Sequence, residues 1–258
     1  HYRDAAEGIV MVRANQNVRV DEESPAPDFE PRQGGVGIVP VPEISIDLAE
    51  WEKLLVKASE RVDSSPRVHS SSASLRAERV MSTFVDTEGA HLEHGSTRIR
   101  VSLYLSSTGM DGNDVAVYKS RDLRTPDGLP TEGELLSWAD ESVARLEAML
   151  DAPRGQPYSG PVVLRGKAAG VFFHEVLGHR VEGHRQKNDS EGKTFTEYVG
   201  REILPKWLDV YDDPTLAVLA GEDLNGFYAY DDEGVAATRA DIVLDGVLVG
   251  FLMGRSPI

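Results

Sequence analysis

Two histidines and a glutamate stand close together in the segment HEVLGH, which occupies residues 174–179. His174 and His179 carry imidazole nitrogens, which zinc prefers as ligands, and Glu175 carries a carboxylate suited to general-base catalysis. The familiar zinc-peptidase signature is HExxH on a helix, with both histidines on one face. This chain has HExxxH, with one residue more. The segment predicts a zinc-dependent hydrolytic centre if the backbone absorbs the extra residue.

The extra residue makes a structural demand on the helix. Side chains five residues apart point about 140° away from each other on a regular α-helix, so both imidazoles cannot easily reach one ion. We therefore expect the helix to loosen, for instance through a π-bulge, and Gly178 is a residue type that tolerates such a distortion. The alternative is that His174 and His179 are structural residues of an apolar helix.

The third zinc ligand is not evident. A catalytic zinc site uses three protein ligands, and this chain contains no cysteine. His184 is a candidate, although its polar neighbours favour a solvent-exposed histidine. Glu182 is interpreted either as a carboxylate that holds a ligand imidazole or as an ordinary surface charge. The acidic clusters at 212–213 and 231–233 could bind a cation or a peptide amine, but such sequences are more typical of solvated turns.

The flanking pattern indicates an α+β fold with mainly antiparallel sheets and a few helices. Asp47 is predicted to cap one helix, and Thr131 and Glu134 form a capping box at the start of a second. The run 80–85 and the alternating apolar residues of 99–105 predict antiparallel strands.

In the C-terminal part, a short strand at 162–164 is predicted before the helix that carries the HExxxH motif. A further helix is predicted at 196–204, and Asp245-Gly246 between two apolar runs predicts a hairpin. Residues 1–42 are interpreted as loop or edge strand. We expect an N-terminal α+β domain over residues 1–154 and the beginning of a metallopeptidase domain over 155–258, incomplete at its C-terminus.

Charge and hydropathy exclude some classes of function. The formal net charge of −16 disfavours direct binding to nucleic acid or to anionic membranes. No apolar run reaches the length of a membrane-spanning helix, and no signal peptide is recognisable at the N-terminus, so we expect a cytoplasmic protein.

Several motifs, taken in order, resemble the TldD/PmbA peptidases, once called modulators of DNA gyrase. The resemblance covers about residues 160–258. It rests, in order, on HEVLGH at 174–179, VEG at 181–183, Phe195, Val199-Gly200, VYDDPT at 210–215, YDDEG at 230–234 and the hairpin at Asp245-Gly246. It implies a zinc-dependent peptidase that hydrolyses unfolded or small peptides through a metal-activated water. It also implies His174 and His179 as ligands, Glu175 as the catalyst, and a homodimer or a heterodimer with a related metal-free subunit, this chain resembling the TldD-like side.

Two departures from the family pattern keep an alternative open. The family's third zinc ligand is typically a cysteine later in the C-terminal domain, and the family often has Asp where His184 stands. A binding or assembly subunit with an incomplete metal site is therefore the competing interpretation. The presence of Glu175 opposes it, because a degenerate subunit is expected to lose the residue that contributes only catalysis.

Overall fold

The computed structural model describes residues 2–16, 29–187 and 193–256, and the statements below refer to these residues. Its α-helices are α1 (Tyr2–Gln16), α2 (Leu48–Asp63), α3 (Glu132–Asp151), α4 (Lys167–Val176) and α5 (Gly183–Lys187). Short 3-10 helices cover Pro126–Gly128, Gly178–Val181 and Thr196–Tyr198. The longer strands are β1 (Val36–Ile38), β2 (Ser70–Val85), β3 (His91–Thr108) and β4 (Asp114–Leu123). The shorter ones are β5 (Val210–Asp212), β6 (Val218–Leu219), β7 (Glu222–Asp223), β8 (Ala240–Leu244) and β9 (Val247–Leu248).

A long antiparallel hairpin dominates the N-terminal sheet. β2 and β3 pair along their full overlap, from Ser70 opposite Ser106 to Val85 opposite His91. The other side of β3 pairs with β1 in parallel and with β4 in antiparallel orientation. With helices on this mainly antiparallel sheet, the predicted α+β class is confirmed.

The helices α2 and α3 cover one face of this sheet because each has an apolar stripe at helical spacing. Their buried residues pack with the inward side chains of β3, and the cluster includes Trp51, Val62, Val101, Leu103, Leu105, Leu135 and Leu146. Both predicted caps form. The Asp47 carboxylate accepts from the N–H groups of Ala49 and Glu50, and Thr131 and Glu134 make a complete capping box.

A smaller sheet supports the C-terminal part. Its strand order is β5-β8-β9, and the predicted hairpin between β8 and β9 is present. Asp245 and Gly246 both have positive φ angles, 49° and 79°, as a two-residue hairpin turn of this type requires. The core beneath it joins Ile242, Val243 and Leu248 to Leu177 and Val181 from the segment after α4.

Arg255 joins the end of the described chain to the N-terminal sheet. It is 3% exposed, donates from Nε and Nη2 to the carbonyl oxygen of Glu30 at 3.1 and 2.8 Å, and pairs with the carboxylate of Glu88 in the β2–β3 turn. Nearby, Gly234 has a φ of 73° and lies against the ring of Phe84.

Three local predictions are wrong. Residues 2–16 form α1 rather than loop or edge strand, although β1 does lie within the first 42 residues. Residues 162–164 are irregular, because no neighbouring strand pairs with them in the described structure, and Val163 is 86% exposed. The helix predicted at 196–204 is a single 3-10 turn, which Gly200 ends with a φ of 81°. The boundary near residue 155 stays a prediction.

No helix among the described residues is both long enough and apolar enough to cross a membrane.

Candidate metal centre

The helix that carries His174 ends before it reaches His179. α4 stops at Val176, Leu177 leaves the helical region with φ −120° and ψ −49°, and the chain continues as the 3-10 helix Gly178–Val181. The expected loosening is therefore present, but it takes the form of a helix end rather than a π-bulge. The HExxxH motif accordingly spans two helical segments and not the single helix that was predicted.

This break brings the two imidazoles together. The ring centroids of His174 and His179 lie 4.4 Å apart with an angle of 69° between the ring planes. A regular helix would have pointed the same rings to different sides. Gly178 has no steric role in the break, since an added Cβ would meet nothing nearer than 3.8 Å.

Glu175 completes a cluster of three ligand-type side chains. One ligand atom each from His174, Glu175 and His179 lies within 4.8 Å of the others, and the described residues contain no second group of this kind. Their side chains are 61%, 63% and 40% exposed, respectively. The cluster is therefore open to solvent in the described part of the chain.

Glu182 holds the ring of His179. Its Oε1 lies 2.6 Å from His179 Nδ1, and its Oε2 accepts from Arg185 Nε at 2.5 Å. The hydrogen bond from Arg185, followed by that from His179, holds the pKa of Glu182 below its ordinary value, so the carboxylate is ionised at neutral pH. An ionised carboxylate can only accept, so Nδ1 carries the proton and the lone pair of a neutral imidazole is on Nε2.

The turn that carries His179 is fixed by the core and by the chain near residue 252. Leu177 and Val181 are buried against the β8–β9 hairpin. The Val181 carbonyl accepts from Leu252 N at 2.7 Å, and Gly183 N donates to Leu252 O at 2.7 Å. An added Cβ at Gly183 would lie 2.8 Å from the carbonyl oxygen of Leu252, a backbone atom held by its own hydrogen bond, so this close backbone approach favours glycine.

His184 and the acidic clusters do not join the cluster of three. His184 Nε2 lies 3.6 Å from the far oxygen of Glu182. Asp213 accepts from Thr215 in a local turn, and Asp231 accepts from the N–H groups of Glu233 and Val235 in another. Asp213 and Asp231 therefore each stabilise a local turn, which is the more ordinary of the two interpretations for these residues.

Sequence reasoning missed two residues of the centre. Arg185 was not singled out, although its position three residues after Glu182 is a spacing at which helical side chains meet. Gly183 was part of the quoted pattern without an assigned role. Its need for glycine depends on the backbone at Leu252, far along the chain, which no local pattern reveals.

The side chains present fit zinc. Two imidazoles and a carboxylate are donors that zinc accepts, and Glu182 leaves His179 in the tautomer whose Nε2 can bind a metal. A carboxylate behind a histidine ligand is the usual outer support of such sites, because it orients the ring and raises its basicity.

Comparison with known proteins agrees with the motifs. Residues 157–257 match the sequence profile of the PmbA/TldA metallopeptidase C-terminal domain. A protein named metalloprotease from Methanothermobacter thermautotrophicus is 32% identical over 182 residues, which are 67% of this chain and 36% of that protein. The chain belongs to the TldD/PmbA family.

Further members and structures of the TldD/PmbA family extend the comparison. A zinc metalloprotease TldD homologue from Saccharolobus solfataricus is 30% identical over 95 residues, 37% of this chain and 20% of that protein. The chain thus spans about a third or less of the length of these curated relatives. The crystal structure of a proposed modulator of DNA gyrase from Thermotoga maritima shares the fold, with a TM-score of 0.62 at 18% identity over 93% of this chain and 53% of that one.

Proposed function

We propose that this chain carries the zinc-binding and catalytic residues of a peptidase that hydrolyses unfolded or small peptides. The observation that carries the proposal is the convergence of His174, Glu175 and His179 within 4.8 Å, with His179 held in a metal-binding tautomer by Glu182. Relatives named metalloprotease and zinc metalloprotease support the same reaction class.

His174 and His179 are the residues that would hold the metal. When bound there, Zn²⁺ would supply Lewis-acid polarisation of the scissile carbonyl and a lowered pKa for the attacking water. Glu175, next to His174 and largely exposed, would accept a proton from that water and return it to the leaving amine. Glu182 and Arg185 keep the His179 ring in one orientation while this proton moves.

The surroundings of the centre support a peptide substrate. α4 exposes several apolar side chains around the two histidines, namely Val171, Phe172, Phe173 and Val176, each between 45% and 59% exposed. An extended peptide could lay its apolar residues on this surface. The same apolar surface of α4 could instead contact another protein chain. We propose that this chain is a TldD-like subunit that forms a homodimer, or a heterodimer with a related subunit.

His174 and His179 supply two of the three protein ligands that a catalytic zinc uses, so one ligand has still to be assigned. In the described part of the chain no further His, Asp or Glu lies within the cluster. We propose that it comes from elsewhere in the complete protein, or from His184 or a carboxylate after a side-chain rotation.

Zinc content is the first test. The full-length protein should contain about one zinc per chain, and His179→Ala should lose it. Glu175→Gln should retain zinc and lose cleavage of a fluorogenic unfolded peptide. A full-length protein that takes up no added zinc would refute the peptidase and favour the binding or assembly subunit.

A further inference from the structure

One edge of the long hairpin is unpaired. β2 pairs with β3 along its full length, and no strand of the described chain pairs with its other edge. Because a strand presents its N–H and C=O groups to its two edges in alternation, about half of those in β2 face away from β3. Such a row of groups is a template on which another strand can pair.

A groove lies beside this edge. From α2 it is lined by Leu48, Trp51, Leu55 and Val56, and from β2 by Ala73 and Leu75. The groove has a volume of about 380 Å³, within the range of ligand-binding clefts. An added strand would place every second side chain against this apolar wall.

The charges of α2 are sorted between its two sides. On the side towards α3, Lys57 pairs with Glu132 at 2.7 Å and Arg61 with Asp140 at 2.6 Å. The charged residues that line the groove, by contrast, are all acidic: Glu52, Glu60 and Asp63.

The acidic charges of the groove are not neutralised within the described chain. No lysine, arginine or histidine in that part lies within ion-pair distance of Glu52 or Glu60. Asp63 accepts a hydrogen bond from the hydroxyl of Ser71. The groove is therefore apolar on its walls, acidic at its rim and open along a strand edge.

We propose that this groove binds an extended peptide segment that adds to β2 as a further strand and carries cationic side chains towards α2. Backbone hydrogen bonds to β2 would give affinity, and the groove would select the alternate side chains. The spacing is matched as well. Glu52 and Glu60 are eight residues apart on a helix, about 12 Å along its axis, and two lysines four residues apart on a strand are separated by about 13 Å.

The test uses a fluorescein-labelled peptide, Lys-Thr-Val-Thr-Lys-Thr-Leu, whose lysines, valine and leucine share one face of a strand. Fluorescence anisotropy is measured on the 258-residue chain, with EDTA present so that no metal-dependent cleavage occurs. Two control peptides are compared. One replaces both lysines with glutamate, and the other replaces the first threonine and the valine with prolines, which removes N–H donors that point to both edges.

The expected result is saturable binding of the first peptide and at least tenfold weaker binding of both controls. Glu52→Lys/Glu60→Lys should weaken binding about tenfold or more, since it replaces attraction with repulsion at two sites. Glu197→Lys/Glu222→Lys changes the net charge equally, away from the groove, and should leave binding within twofold. No saturable binding, or equal binding of the lysine and proline peptides, would overturn the proposal.

Hydrogen exchange gives a readout that does not depend on the variants. The bound peptide should slow exchange of backbone amides in β2, in the stretch that includes Ala73 and Leu75, and leave β4 unchanged. Binding with no protection of β2 would place the peptide elsewhere on the molecule and overturn the proposal, even if Glu52→Lys/Glu60→Lys failed to fold.

Discussion

Replacing Glu182 with glutamine tests whether this carboxylate positions a metal ligand. In the structure, Glu182 accepts from His179 Nδ1 at 2.6 Å and from Arg185 at 2.5 Å. A glutamine oxygen can still accept from Nδ1, but the hydrogen bond then lacks the charge. Hydrogen bonds with a charged partner contribute about 1.5–3 kcal/mol and neutral ones about 0.5–1.5 kcal/mol. The midpoints of these ranges differ by about 1.3 kcal/mol, which corresponds to zinc binding weaker by nearly a factor of ten.

Competition with a chromophoric zinc chelator at pH 7 measures this change in the full-length protein. Glu182→Gln should bind zinc about tenfold more weakly than the wild type, and Glu182→Ala up to about a hundredfold. Glu197→Gln, which alters an exposed carboxylate of a neighbouring 3-10 helix, is the matched control. If the zinc affinities of Glu182→Gln and the wild type agreed within twofold while His179→Ala lost zinc, the metal site would be supported but Glu182 would have no positioning role.

Three further changes test the fold. Leu103 is fully buried between the sheet and the helices, so Leu103→Ala should lower the free energy of unfolding by about 2–5 kcal/mol in urea titrations, and a loss below 1 kcal/mol would contradict that packing. Gly234→Ala should lower the free energy of unfolding by at least about 1 kcal/mol, because φ is 73° and the new Cβ would lie 2.5 Å from a Phe84 ring carbon. Thermal unfolding measures this change. An unchanged midpoint of unfolding would contradict this geometry. The backbone N–H of Thr131, and after it Arg121, hold the pKa of Glu134 below its ordinary value. Because the pKa is lower in the folded state, the stabilisation by Glu134 is present above the unfolded pKa and is lost as the pH falls through the folded one. The destabilisation by Glu134→Gln should therefore shrink on acidification from pH 7. Unfolding curves at several pH values measure it. A destabilisation that stayed constant with pH would mean that the charge of Glu134 is not its cause.

Local patterns predicted α2, α3 and the strands of the N-terminal sheet, but not α1, because the interactions that define these elements are local. Asp47 and Thr131 cap helices through groups two or three residues away. The alternation of apolar and polar residues in β3 arises because one face of the strand is more buried than the other. This pattern does not depend on which strands pair with β3. The run 162–164 failed for the opposite reason, since an apolar segment becomes a strand only if another strand pairs with it.

The candidate centre was predictable in its residues and only partly in its backbone. The spacing of His174 and His179 required a break in the helix, and the break is present. Its form, however, depends on Leu177 and Val181 packing under the β8–β9 hairpin and on hydrogen bonds to Leu252. These partners lie some seventy residues further along the chain, beyond the reach of any spacing rule.

The contact of Arg255 with Glu30 bears on the order in which the chain folds. The two residues are 225 positions apart. Closing so long a loop in an unfolded chain costs about 5 kcal/mol of conformational entropy, more than a few hydrogen bonds return. The contact becomes stable once the β2–β3 hairpin and the C-terminal sheet have formed, so it should be among the last to form and the first to open. Leu252, which supports the turn of His179, lies only three residues before Arg255. We therefore expect the turn of His179 to become fixed late in folding, so that zinc binds a nearly native protein rather than a folding intermediate.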